Sequence, residues 1–475
     1  MPPKKKLCTH PQLVLTPSPN AALKGYNQPA PATAQKAATF RTPINGTPPS
    51  ITTFPGPLVL PYDDLSHDPK YPPQSLTAFK RGIHRNQVTG RRNKLYYLTL
   101  PVRSAEVEDY QSWITPVDIT TKALNQTASP DWDDVVSYLS AFFHPLQVLP
   151  YPSVTTISKW SASGKTPHLA ISSSSSNLAT RLRYRKAPEG DEACYTHQLN
   201  LCDLLDFAID ILPEDAYSLI ILTGHDLFED ADDDFCIGRA FGGSRVCVVS
   251  SARYHPYSEQ LAGVGAEWTG GKGHDWPGSH CATFVETLCD DELDDAEIEK
   301  RNKTKKAKAN NNAHGMENTP MYRAMIAHRD ENKSAQVRHR EHNRSIWVSR
   351  VCKTAAHELL HCFGLDHCVY YACSMQGTAS TREDTRQPFY LCPVDQAKLK
   401  DALSGYDKAI GEMGASQWEV EWCRRMKRCC EEIAGKPFAM GWRPFIAWLE
   451  ARIDEVQLEM QEGQVGSVEN PIELD

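Results

Sequence analysis

Five residues at fixed spacing dominate the chemistry of this chain: His357, Glu358, His361, Gly364 and His367, in the run His357-Glu358-Leu359-Leu360-His361-Cys362-Phe363-Gly364-Leu365-Asp366-His367. Helical positions four apart share one face about one turn apart, so the imidazoles of His357 and His361 can hold one ion. Gly364 accepts the left-handed conformation that ends a helix, and the turn it allows brings His367 to the same ion. Three neutral imidazoles keep a zinc ion strongly Lewis acidic and leave a fourth position for water or substrate. Glu358, next to His357, is placed to take a proton from that water as general base. The expected reaction is attack of activated water on a peptide carbonyl, with the proton passed on to the leaving amine and no covalent intermediate. With 17 histidines and 27 glycines in 475 residues, the five positions coincide by chance with probability on the order of 10⁻⁴ per chain. Histidines scattered on a surface helix explain them poorly.

The run continues through Cys368, Cys373 and Met375, and later Cys392-Pro393-Val394-Asp395. This extended pattern resembles the archaemetzincins, metzincin-type zinc metallopeptidases whose zinc motif leads into a Cys-x4-Cys-x-Met segment and then a Cys-x-x-Cys pair. The resemblance is closest over 346–395, and Asp226-Leu227-Phe228 and Val246–Arg253 are similar further upstream. It implies an α+β or α/β, metzincin-like peptidase domain with a mixed twisted sheet, a backing helix, an active-site helix and a cleft. It also implies that Met375 is the methionine of a turn beneath the metal, although an ordinary core methionine fits the residues equally. A second, structural zinc is implied at Cys368, Cys373, Cys392 and a fourth cysteine, where this chain has Asp395. Carboxylate oxygen binds zinc at about 2.0–2.2 Å against about 2.3 Å for sulfur, so a Cys3Asp set is compatible with the ion. Cys362 or the Cys429-Cys430 pair are other sources of a fourth ligand, and three buried free thiols are the alternative without metal. The resemblance implies zinc-dependent peptide hydrolysis, aminopeptidase-like on peptides. A reading from another class is a catalytically inactive, zinc-stabilised binding or adaptor protein that keeps the ligands without productive substrate access.

These residues need a scaffold. The motif predicts a helix from about Ser345 to Phe363, ended by Gly364. Leu95–Leu100, Ser218–Thr223 and Arg245–Ser250 read as strands. Asn200 reads as the cap of a helix whose Leu201, Leu204, Leu205, Ala208, Ile211 and Leu212 form one stripe, stopped by Pro213. The first 55 residues, rich in proline and small polar residues, read as a mobile tail. Residues 56–400 read as the catalytic domain, with a serine-rich surface loop at 152–178 and a charged, solvated insertion at 290–345. Two amphipathic stripes, Trp418, Trp422, Met426, Cys429, Ile433 and Ile446, Leu449, Ile453, Val456, Met460, predict a packed helical pair within 401–462, before an acidic tail at 463–475.

Composition bounds the partners. The hydrophobic content of 40% supports a sizeable core, and the formal net charge is -8. Without a strongly basic surface, neither nucleic acid nor anionic membrane is expected as a partner. Lys4–Lys6 and Lys303–Lys308 read as solvated charge, Gly270–Gly273 as a flexible loop, and the His339/His342 pair as part of a charged helix. Tyr254 and Tyr257 read as packing residues. Fifteen cysteines without an apolar exporting segment predict reduced thiols and metal ligands, hence an intracellular protein of cytoplasm and/or nucleus. Peptides or proteins are the expected substrates, and the sequence sets no oligomeric state.

Overall fold

The computed structural model describes residues 12–40, 48–83, 85–117, 129–160, 168–176, 179–189, 194–261, 274–290, 317–334, 340–435 and 441–468. Short β-branched and aliphatic runs build a central five-stranded sheet from β1 (Lys94–Thr99), β2 (Gln147–Pro150), β7 (Ala216–Thr223), β9 (Gly238–Phe241) and β10 (Val246–Ser250). The strand order is β2-β1-β7-β10-β9, parallel throughout except for antiparallel β9 at the edge. A strand buried on both faces sends alternate side chains to opposite layers. Leu95, Ile220, Leu222, Cys247 and Val249 accordingly face the core containing the helix Arg340–Cys362. Leu98, Leu219, Ile221, Val246 and Val248 face a second core on the other side.

The second core is closed by the helix Leu201–Asp210 and by a second sheet. That helix starts as expected: the Asn200 side chain accepts from the Asp203 amide. The second sheet contains β3 (Thr155–Lys159), β4 (His168–Ser173), β5 (Ala179–Lys186), β6 (His197–Asn200) and β8 (Asp226–Phe228), in the order β3-β4-β5-β6-β8. Two of its strands lie in the segment 152–178 read as a loop, which corrects that reading. Ile157 pairs with Ile171 across the hairpin, and both are buried. Serines on the strands masked the period-two pattern.

The readings of the first 55 residues as a mobile tail and of 290–345 as a charged, solvated insertion also need correction where residues are described. In 290–345 the helix Pro320–Ser334 buries Met321, Ala324 and Met325 and packs along the C-terminal helix Arg443–Val468. Within the first 55 residues, helices Pro19–Lys24 and Pro31–Ala37 form, and Phe54 is fully buried between Tyr371, Tyr390 and Trp448. The Tyr26 hydroxyl donates to the Val369 carbonyl at 2.7 Å, and the Ala372 amide to the Pro55 carbonyl at 2.9 Å. A few apolar side chains placed in gaps left by other elements hold this segment, despite its polar average. Lys4–Lys6, Gly270–Gly273, Lys303–Lys308, residues 469–475 and the side chains of His339 and His342 lie outside the described residues.

The helix that bears His357 and His361 runs Arg340–Cys362, and its far face meets the helices Trp132–Phe142 and Ala415–Ala434 in the larger core. Tyr254 and Tyr257 are buried, and Tyr254 shares a 2.6 Å hydrogen bond with Thr354 on this helix. The C-terminal pair is packed as its stripes predict, with Trp418, Trp422, Met426, Leu449 and Val456 buried.

Candidate metal centre

His357 and His361 lie one helical turn apart near the C-terminus of the helix Arg340–Cys362, and His367 follows the turn. Gly364 has φ of 89°. Its amide donates to the His361 carbonyl at 2.9 Å while the Leu365 amide reaches back to Leu360, so the last carbonyls are satisfied as the chain reverses. The three ring centroids stand 4.8, 5.4 and 5.0 Å apart, and one ligand nitrogen from each lies within 4.8 Å of the others.

Hydrogen bonding at the rear of the rings sets their chemistry. Nδ1 of His357 donates to the Ser374 carbonyl and Nδ1 of His361 to the Leu365 carbonyl, each at 2.7 Å. A carbonyl accepts only, so both protons sit on Nδ1 and both Nε2 atoms carry lone pairs. Those two Nε2 atoms face each other at 3.1 Å, an arrangement that repels until a cation lies between them. Burial holds all three rings neutral, the ligand form: His357 lies well below the usual imidazole range, His361 is lowered to about 4 and His367 is also lowered. Beside the third ring, a Cβ on Gly377 would lie 2.2 Å from Asp64 Oδ2 and 2.8 Å from His367 Nδ1, so a glycine lets the N-terminal segment approach this histidine.

Glu358 lines the same cleft, a cavity of about 740 Å³ whose walls include Tyr71, Ile83, Arg85 and Arg239 with the three histidines. Glu358 makes no hydrogen bond among the described residues. Burial pushes its carboxyl up to about 8, with Arg239 drawing it down and Asp384 raising it. Arg239 comes from edge strand β9, whose free side carries no strand among the described residues. No sequence signal marked Arg239 or Asp64, because tertiary folding alone brings them here.

Cys368, Cys373, Cys392 and Asp395 form a second, fully buried cluster with ligand atoms within 4.8 Å of one another. Neither Cys362 nor the Cys429-Cys430 pair belongs to it; these are buried in the large core. Burial opposes thiolate formation at Cys368, but its bonds to Cys373 and Cys392 and the Lys398 ammonium outweigh that and hold it well below the usual thiol range. The loop carrying Met375 touches both clusters: Met375 is fully buried and its carbonyl accepts from the Cys368 amide at 2.7 Å, while the neighbouring Ser374 carbonyl holds His357. Three imidazoles, and separately three thiols with a carboxylate, are donor sets suited to zinc.

A model described as Peptidase family M54 matches residues 321–401, which contain every ligand candidate above. Among similar proteins, archaemetzincin-2 of Homo sapiens is 46% identical over 59 residues, 12% of this chain and 16% of the relative. Archaemetzincin-2 of Rattus norvegicus is 42% identical over 86 residues, 15% of this chain and 24% of the relative. Archaemetzincin-1 of Homo sapiens is 44% identical over 59 residues, 12% of each chain. The matched stretch thus spans under a quarter of these relatives' length. A solved archaemetzincin from Methanopyrus kandleri aligns over 66% of this chain and 97% of its own, at 15% identity and a TM-score of 0.30.

Proposed function

We propose that this protein is a zinc metallopeptidase of archaemetzincin type, in which His357, His361 and His367 hold the catalytic ion and Glu358 is the general base. The observation that carries this reading is the convergence of three neutral imidazoles, two with their Nδ1 protons fixed by carbonyls, on a cleft that also contains an uncommitted carboxyl. Zinc bound there supplies Lewis acidity, which activates a water and stabilises negative charge developing on a peptide carbonyl. The free edge of β9 offers backbone groups to an extended peptide, which orients its carbonyl over the histidines. Glu358 takes the proton of the attacking water and delivers it to the departing amine. The Cys368, Cys373, Cys392 and Asp395 cluster is read as a structural zinc site that braces the loop of His367 and Met375.

The finer reading is aminopeptidase-like action on peptides within the cell, in cytoplasm and/or nucleus. Sequence resemblance supports the first part. The fourteen described cysteines, all without disulfides, agree with a reducing compartment, and fractionation that recovers the protein only from secreted material would reject it. Activity is tested by exposing wild type and Glu358→Ala to a peptide library with free and acetylated N-termini. Wild type is expected to cleave free-amine peptides, and the variant to bind zinc without turnover. Equal turnover in both proteins defeats the assignment of Glu358. No cleavage by zinc-loaded wild type leaves the zinc-stabilised binding protein as the better reading.

A further inference from the structure

The fourth corner of the buried thiol cluster is where this chain departs from an all-cysteine site, and the departure is accompanied by a second unusual residue. Lys398 is 1% exposed. It lies one turn after Asp395 on the helix Pro393–Ser404, and its ammonium donates to Asp395 Oδ1 at 2.8 Å. The other carboxylate oxygen faces the thiols: Oδ2 is 3.2 Å from Cys373 Sγ and 3.3 Å from Cys392 Sγ, while Cys392 Sγ is 3.6 Å from Cys368 Sγ. In a tetrahedral zinc site, bond lengths of about 2.3 Å to sulfur and 2.1 Å to oxygen place neighbouring donors roughly 3.6–3.8 Å apart. The cluster is therefore already close to the dimensions that a small ion would draw together.

We propose that Lys398 is a positioning residue that occupies one oxygen of Asp395 and thereby presents the other as the fourth, monodentate ligand of a zinc ion shared with Cys368, Cys373 and Cys392. The proposal rests on reading this cluster as a zinc site. A thiolate offers a single donor atom and needs no partner to choose it. A carboxylate has two equivalent oxygens and can rotate, chelate or leave, so replacing sulfur by carboxylate creates a need for orientation that a thiolate lacks. Charge balance points the same way. Three thiolates and a carboxylate around a dication carry a net charge of two minus, and the buried ammonium halves it. Burying a lysine among apolar residues is costly unless it is paired, and here its partner is the ligand that would otherwise be loose. The effect reaches the cleft through the chain itself: Cys368 follows His367 directly, and Cys373 precedes Ser374, whose carbonyl holds His357.

Zinc per chain and resistance to a graded chelator are measured on full-length wild type, Lys398→Met, Lys398→Arg, Asp395→Cys and the double variant Lys398→Met with Asp395→Cys, with circular dichroism as a check on folding. Wild type is expected to hold two zinc ions. Lys398→Met is expected to lose the thiol-bound ion or bind it about 10–100-fold more weakly, the usual cost of removing an outer partner of a metal ligand. Lys398→Arg, which keeps a donor for Oδ1, should retain more of it than the methionine variant. The decisive sample is the double variant. A cysteine at 395 needs no lysine, so zinc should return, whereas a merely structural Lys398 would leave the double variant as depleted as Lys398→Met. That depletion, or Lys398→Met holding zinc as wild type does, overturns the role of Lys398 alone. Wild type holding only the ion removed by His361→Ala overturns the zinc reading of the cluster and the proposal with it.

Discussion

At the scale of single residues, the motif was legible because its chemistry is written as spacing. Imidazoles four apart on a helix, and a glycine before the third, can be read without coordinates, and the structure brings all three rings to one point. Gly364 is the most exposed to test. An L-residue in its left-handed conformation costs roughly 1–2 kcal/mol, and a Cβ there would stand 3.2 Å from Arg85 Cγ. Gly364→Ala is expected to lower unfolding free energy in urea by about that amount and to weaken zinc retention by displacing His367; unchanged zinc affinity would show that the turn tolerates another path. What spacing could not encode is the back of the site. The Ser374 carbonyl, Asp64 and Arg239 arrive from separate parts of the chain, and nothing local to them distinguishes a residue near the histidines from any other. Lys398 was within reach, since an acid and a lysine three apart on a helix form a recognisable pair.

Among the elements, the strands of the central sheet were readable from uninterrupted β-branched runs, while the hairpin at 155–173 was hidden by serines that satisfy its exposed face. The helix Pro320–Ser334 was hidden in another way, by the charged stretches around it. It carries a titratable group with a measurable signature: Glu331 is 3% exposed, and burial pushes its carboxyl from 4.5 up to about 8 despite the Gly441 amide and Arg443, which lower it. Between those two values the folded chain keeps a proton that the unfolded chain has released, so this group makes stability fall as pH rises through that window. Glu331→Gln is expected to flatten that fall, gaining stability on wild type at pH 8–9 and least at pH 5. Denaturation midpoints across the range check it, and parallel pH curves for the two proteins would refute it.

For the whole molecule, composition misjudged the N-terminal segment. An average over 55 residues registers proline and serine, whereas stability depends on the single aromatic that fills a hole. Phe54 has ring centroids 6.1, 5.6 and 5.7 Å from Tyr371, Tyr390 and Trp448, so Phe54→Ala should cost about 3–5 kcal/mol, read by chemical denaturation; a loss under 1 kcal/mol would mean that the segment is dispensable. The same contact has a consequence in time. Tyr371 belongs to the loop between Cys368 and Cys373, Phe54 comes from the N-terminal segment and Trp448 from the final described helix. During synthesis His357, His361 and His367 leave the ribosome 81 to 91 residues before Trp448, and until that tryptophan emerges the Phe54 ring that packs on Tyr371 lacks one of its walls. The order of translation thus leaves the packing beside the histidine loop incomplete until position 448 has been made.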